Sequence, residues 1–198
     1  MEQWHIGLSP WIIQDGNYKD FHCGEVAWFA LEFYSESLFP APISEIRADL
    51  LHDSIYRVNA KVVLSDQKVL VLDFGIMAYR EGFKPYPSEA GLLGEVYLGI
   101  DPFPYFERLN KDPRMPELIY KWRIERIVKR SAPLVEGTAP DGLKALVWDE
   151  SRRTEEEVPQ TDAWGDEPSS SVPRRSDFAY TLICTRFDVQ PTRRRSLA

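Results

Sequence analysis

The chain has 198 residues, 43% of them hydrophobic and 13% aromatic, and a formal net charge of −7. That length supplies one core of ordinary size without staples, and the acidic balance argues against a globally basic surface for nucleic acid or anionic lipid. Two cysteines far apart in sequence, Cys23 and Cys184, make neither a disulfide framework nor a paired metal spacing, and no apolar run reaches the ~20 residues of a membrane-spanning helix.

The start, "MEQWHIGLSP", lacks a basic stretch followed by an apolar one, so the expectation is a cytoplasmic protein with reduced thiols and no membrane contact. Within it "EQWHIGL" reads as an edge strand. "GEVAWFALEFYSE" (Gly24–Glu36) puts Ala27, Phe29, Leu31 and Phe33 on one face of a strand and Val26, Trp28, Ala30 and Tyr34, with Glu32, on the other. Apolar on both faces, it reads as a central strand. "SEIRADLLHD" (Ser44–Asp53) has an N-cap serine and Ile46, Leu50 and Leu51 at helical spacing, which predicts a helix.

"IYRVNAKVVL" (Ile55–Leu64), "SDQK" and "VLVLDFGIM" form a hairpin signal. A turn at Ser65–Gln67 sets Val62 against Leu70, Ala60 against Leu72 and Val58 against Phe74, and leaves Asp73 facing Asn59 with Arg57 and Lys61 on the diagonals. A slip of one residue would oppose the basic row to apolar side chains, so the pattern selects the face of Asp73. The letters "DFG" echo a kinase magnesium motif, but the Gly-rich loop, strand lysine and catalytic loop of a kinase are missing.

Further on, "LLGEVYLGI" (Leu92–Ile100) reads as a strand and "PYFERLN" (Pro104–Asn110) as a short helix with proline first. "ELIYKWRIERIVKR" (Glu117–Arg130) fits both periods; its aromatic and β-branched content favours a strand with a bulge near Arg126. "GLKALVW" (Gly142–Trp148) is a further strand. Residues 149–176 are charged and rich in proline and serine; Asp149 to Glu167 alone hold eight acids and two bases. Such a segment cannot offset its ordering entropy by burial and reads as a flexible acidic loop. "DFAYTLICTRF" (Asp177–Phe187) returns as a strand, and 189–198 reads as a disordered tail.

The fold class is therefore mostly β, or β-rich α+β: a small antiparallel barrel or sandwich, an OB-like barrel being one form, with one or two short helices. The globular domain is 1–148, the loop 149–176, the returning strand 177–188 and the tail 189–198.

No chemistry stands out. The histidines, His5, His22 and His52, carry no metal spacing; there is no G-x-S-x-G elbow and no phosphate loop. Neither a metal nor a cofactor is called for. Glu32 is the acid whose surroundings would raise its pKa. Proline-held aromatics, Phe83, Tyr86, Phe103, Tyr105 and Phe106, form a candidate protein interface. Arg57, Lys61, Lys121, Arg123 and Lys129 form a candidate basic face beside aromatics, as a single-strand nucleic-acid surface requires, though the net charge disfavours that partner. The leading expectation is a non-catalytic protein-binding module of inhibitor, immunity or adaptor kind. The alternatives are an OB-like single-strand binder and an enzyme built from dispersed carboxylates, Glu32 and Glu95, with His52.

Overall fold

Alternating apolar residues become strands along most of the chain, in a computed structural model that describes residues 3–43, 45–82, 85–138, 142–164, 178–187 and 190–193. In chain order these are β1 (Gln3–Leu8), β2 (Val26–Phe29), β3 (Leu31–Tyr34), β4 (Leu38–Pro40), β5 (Arg47–His52), β6 (Ile55–Ser65), β7 (Val69–Asp73), β8 (Met77–Glu81) and β9 (Gly91–Ile100). They continue as β10 (Tyr120–Ser131), β11 (Leu134–Thr138), β12 (Lys144–Trp148), β13 (Thr154–Val158) and β14 (Phe178–Arg186). Two short helices interrupt them, α1 (Trp11–Gln14) and α2 (Pro104–Glu107).

Five strands close a barrel. β6 pairs antiparallel with β7 along one edge and with β9 along the other; β7 pairs with β8, and β9 with β3. β3 completes the ring by running parallel to β8, Glu32 opposite Tyr79. β5 and β4 extend β6 and β9. The sheet continues beyond the barrel: β9 meets β1 at Gly99 and Gly7, and the order runs on through β14 and β10 to β13, with β2 on the first half of β10. β11 and β12 form a separate hairpin.

One core runs through the barrel and under the extension, including Trp4, Ile6, Phe29, Leu31, Leu72 and Trp122. Trp122 stacks on Phe29 with ring centroids 5.5 Å apart, and its Nε1 donates to the Phe29 carbonyl. Each such side chain contributes roughly 2–3 kcal/mol by burial. A second core forms outside β7 and β8, where Val69, Val71 and Tyr79 meet Tyr105, Met115 and Leu118. Apolar residues on both faces of 24–36 thus serve two cores: Phe29, Leu31 and Phe33 the first, Ala30 the second.

Asp73 lies on the face away from Leu70, Leu72 and Phe74, as the alternation requires, but the register is two residues from the expected one. Asp73 faces Lys61 and Val62 faces Leu72, with Val63 bulged out. The turn is also longer. Asp66 Oδ1 accepts from the backbone N–H groups of Lys68 and Val69, so its carboxylate closes the loop that a three-residue turn would have left to glycine. Asp73 Oδ1 in turn accepts from Gly75 N–H, and Gly75 has φ +103°; "DFG" is an Asx turn at a strand end.

Four other expectations are corrected. Residues 47–52 are strand β5, not helix, because Ala48 faces Val58 and packs on the main core; tertiary pairing overrides local spacing. β1 is an interior strand, held by β14 and β9. The acidic segment contributes β13, antiparallel to β10, where Glu157 pairs with Arg126 at 3.7 Å and Val158 packs on the main core; residues 165–177 lie outside the described residues. The tail is anchored as far as Arg193, whose guanidinium donates to the carbonyls of Asn110, Asp112 and Met115. The bulge in β10 falls between Ile124 and Arg126, where its composition placed it.

Candidate functional site

An open groove of about 780 Å³ lies on the outer side of the barrel. Strand alternation builds its floor: Leu93, Glu95 and Tyr97 project outward from β9 while Leu92, Val96 and Leu98 fill the barrel. Ile55 and Arg57 of β6 continue the floor. The wall is the connection from β3 to β4, carrying Tyr34 and Phe39. Ser35 Oγ fastens this wall, donating to the Glu95 carbonyl at 2.7 Å. Arg80 of β8 closes one end; it donates to the Ser35 carbonyl, and its guanidinium lies 5.9 Å from the Tyr34 ring centre, a cation–π distance.

The groove is apolar where it is most open. Tyr34 is 50% exposed, Phe39 62% and Leu93 45%, three large apolar side chains on one concave surface. Tyr34 and Tyr97 stand with ring centroids 6.4 Å apart. The charges are already matched: Arg57 Nη2 pairs with Glu95 Oε1 at 3.2 Å.

Glu32 lies behind this wall. It points out of the barrel beside Tyr34, is buried, and is hydrogen-bonded by the Tyr34 hydroxyl. Burial pushes its pKa up to about 7; the charges of Asp101 and Glu81 add to the rise, and Tyr34 and Arg80 oppose it. Buried Asp101 takes hydrogen bonds from the Tyr79 hydroxyl and the Tyr105 N–H on its Oδ1. Burial also raises the Tyr79 hydroxyl far above its ordinary range, with Asp101 the next cause. Glu32 and Asp101 are thus buried beside Tyr34, Tyr79 and Tyr105 rather than on the groove floor.

The acids and histidine proposed for catalysis are separated. Glu95 is in the groove and ion-paired, Glu32 is behind the wall, and His52 ends β5 beside Asp53. Among the described residues no three His, Cys, Asp or Glu side chains converge as metal ligands. Cys184 is buried, and burial raises its thiol pKa strongly; Cys23 is exposed, its Sγ 3.4 Å from the Val158 carbonyl.

The proline-held rings do not form one exposed patch. Tyr105 is fully buried, its hydroxyl donating to Pro116 O and accepting from Leu118 N–H. Phe106 packs on the second core and meets Tyr18 edge to face. Phe103 is half-buried at the start of α2, and half-buried Tyr86 packs on the main core, donating to Leu38 O. Phe83 lies outside the described residues.

The basic residues are likewise divided. Arg57 and Lys61 lie on β6 and pair with Glu95 and Glu89. Three strands, β9, β1 and β14, stand between them and β10 in the sheet order. On β10, Lys121 sits over the rings of Trp28 and Phe187, and exposed Arg123 lies 3.8 Å from Glu125. The bulge then turns Lys129 to the other face, over Phe178. Sequence reasoning missed Tyr34, Phe39, Leu93 and Arg80 as a group because four different strands or connections supply them. Compared with protein-family models, curated proteins and solved structures, the chain matches none.

Proposed function

We propose that this chain is a non-catalytic protein-binding module that seats an extended segment of a protein partner in the groove beside β9. The carrying observation is the exposure of Tyr34, Phe39 and Leu93 together on one concave surface. Rigid aromatic rings lose little entropy on docking and supply most of the energy of such interfaces. The paired Arg57 and Glu95, and Arg80 held to a backbone carbonyl, offer hydrogen bonds at the rim with little net field. That suits a neutral or mixed-charge peptide better than a polyanion.

A second reading has one observation in its favour. Taken from β6, the barrel order is β6, β7, β8, β3, β9 with β3 parallel to β8. That order is compatible with an oligonucleotide-binding type of barrel whose fifth strand comes from a segment N-terminal to the other four, and such barrels bind single strands on aromatic and basic faces.

Two titrations separate the readings. With a purified protein partner, Phe39→Ala and Leu93→Ala each weaken binding about tenfold or more, and affinity changes little between about 50 and 200 mM salt. With unstructured oligonucleotides the first reading expects no saturable binding at low salt. Tight, steeply salt-dependent oligonucleotide binding that is lost in Arg57→Ala and Arg80→Ala would replace it with the second.

A further inference from the structure

β5 is hydrogen-bonded on one side only: among the described residues it pairs with β6 and ends the strand order. An open edge is normally blocked by like charges, a proline or a distorting bulge. The opposite end of the same sheet illustrates the block, since β13 carries Glu155, Glu156 and Glu157 in succession, and two copies would bring acid against acid. β5 has a bulge, but it lies between Leu50 and His52 and leaves Arg47 to Leu50 regular. Its two outward charges are of opposite sign, Arg47 and Asp49, 3.1 Å apart and both well exposed.

We infer that two copies of this chain pair antiparallel through their β5 edges about a twofold axis at Ala48. That register sets Arg47 opposite Asp49 of the second copy, and Asp49 opposite its Arg47. On the other face it sets Ile46 opposite Leu50, again twice; these are 37% and 43% exposed in the single chain. The charge pattern already on the sheet continues across the axis. Glu95 faces Arg57 and Arg57 faces Asp49 within one copy, and the next residue in the row is Arg47 of the second copy, so the signs alternate over these four residues across the axis. A slip of one residue would set Arg47 against Ala48 and bring Ile46 against Asp49, so the register is specified by charge and by face. The contact is isologous and closed, which limits assembly to a dimer. Five residue pairs bury little area, so the association is of the weak class, read at concentrations on the order of 100 µM.

Sedimentation velocity on the full chain tests this by charge complementation. The wild type sediments as a concentration-dependent dimer. Arg47→Asp alone opposes Asp to Asp, and Asp49→Arg alone opposes Arg to Arg; each raises the dissociation constant at least about tenfold. An equimolar mixture of the two variants restores association as a mixed dimer, because both cross-axis contacts are again Asp to Arg. Circular dichroism establishes that each variant is folded. A wild type that stays monomeric, single variants that dimerise as well as the wild type, or folded variants whose mixture remains monomeric would each overturn the inference.

Discussion

Asp53, in the turn between β5 and β6, pairs with Arg130 of β10 at 2.8 Å and so ties the barrel edge to the far sheet. Arg153 donates to both oxygens of the same carboxylate, and His5 Nδ1 lies 3.2 Å from the Asp53 carbonyl. Arg130 is only 8% exposed, so its buried guanidinium relies on this carboxylate for charge compensation.

Removing that partner should be costly. Asp53→Ala leaves a buried guanidinium without its carboxylate, at roughly 3 kcal/mol. Asp53 also has φ +52°, a conformation that asparagine tolerates better than alanine. Asp53→Asn should therefore be about 1 kcal/mol less damaging than Asp53→Ala in urea denaturation. Burial raises the Asp53 pKa, but the Arg153 hydrogen bond and the Arg130 charge outweigh it and hold it below the ordinary value. A lowered pKa means that this stabilisation is present above the unfolded-state pKa and is lost as pH falls through the folded one. The stability gap between wild type and Asp53→Asn should accordingly shrink on acidification.

Glu32 behaves in the opposite sense. Its pKa of about 7 stands above the ordinary 4.5, so the protonated form is favoured in the folded state. Stability from this group is fully present below the unfolded pKa and is lost as pH rises through about 7. Glu32→Gln should match the wild type in acid and exceed it above neutrality, by at most about 3 kcal/mol. Parallel denaturation curves for the two proteins across this range check the sign.

Gly7 and Tyr97 are coupled by contact. A Cβ on Gly7 would fall on the Tyr97 ring and hydroxyl, so β1 can approach β9 only with glycine there. Gly7→Ala should destabilise the fold by about 1–3 kcal/mol, and its combination with Tyr97→Ala should cost less than the sum of the two single losses. Additive losses in the double mutant would show that the two sites are independent.

The face of Asp73 was legible in the sequence because alternation fixes which side an outward residue takes. Its opposite neighbour was not, since apolar pairing repeats every two residues and a bulge at Val63 shifts the count. "SEIRADLLHD" fits a helix through Ile46, Leu50 and Leu51 and a strand through Ile46, Ala48 and Leu50; pairing with β6 decides between them, and that is information from elsewhere in the chain. β13 was invisible because its glutamates make a strand only by pairing with β10. The groove joins Tyr34, Phe39, Arg80 and Leu93 from four parts of the chain, so local patterning marks none of them. Glu32 is the exception. An acid within an apolar strand signals a desolvated carboxylate, and the folded chain gives it that environment.

The most direct measurement is amide hydrogen exchange of the full chain with and without a saturating protein partner. Binding in the groove predicts slowed exchange in 34–39 and 93–97, diminished by Phe39→Ala. Protection confined to 101–116 or to the outer face of β10, with 34–39 and 93–97 unchanged, would contradict it.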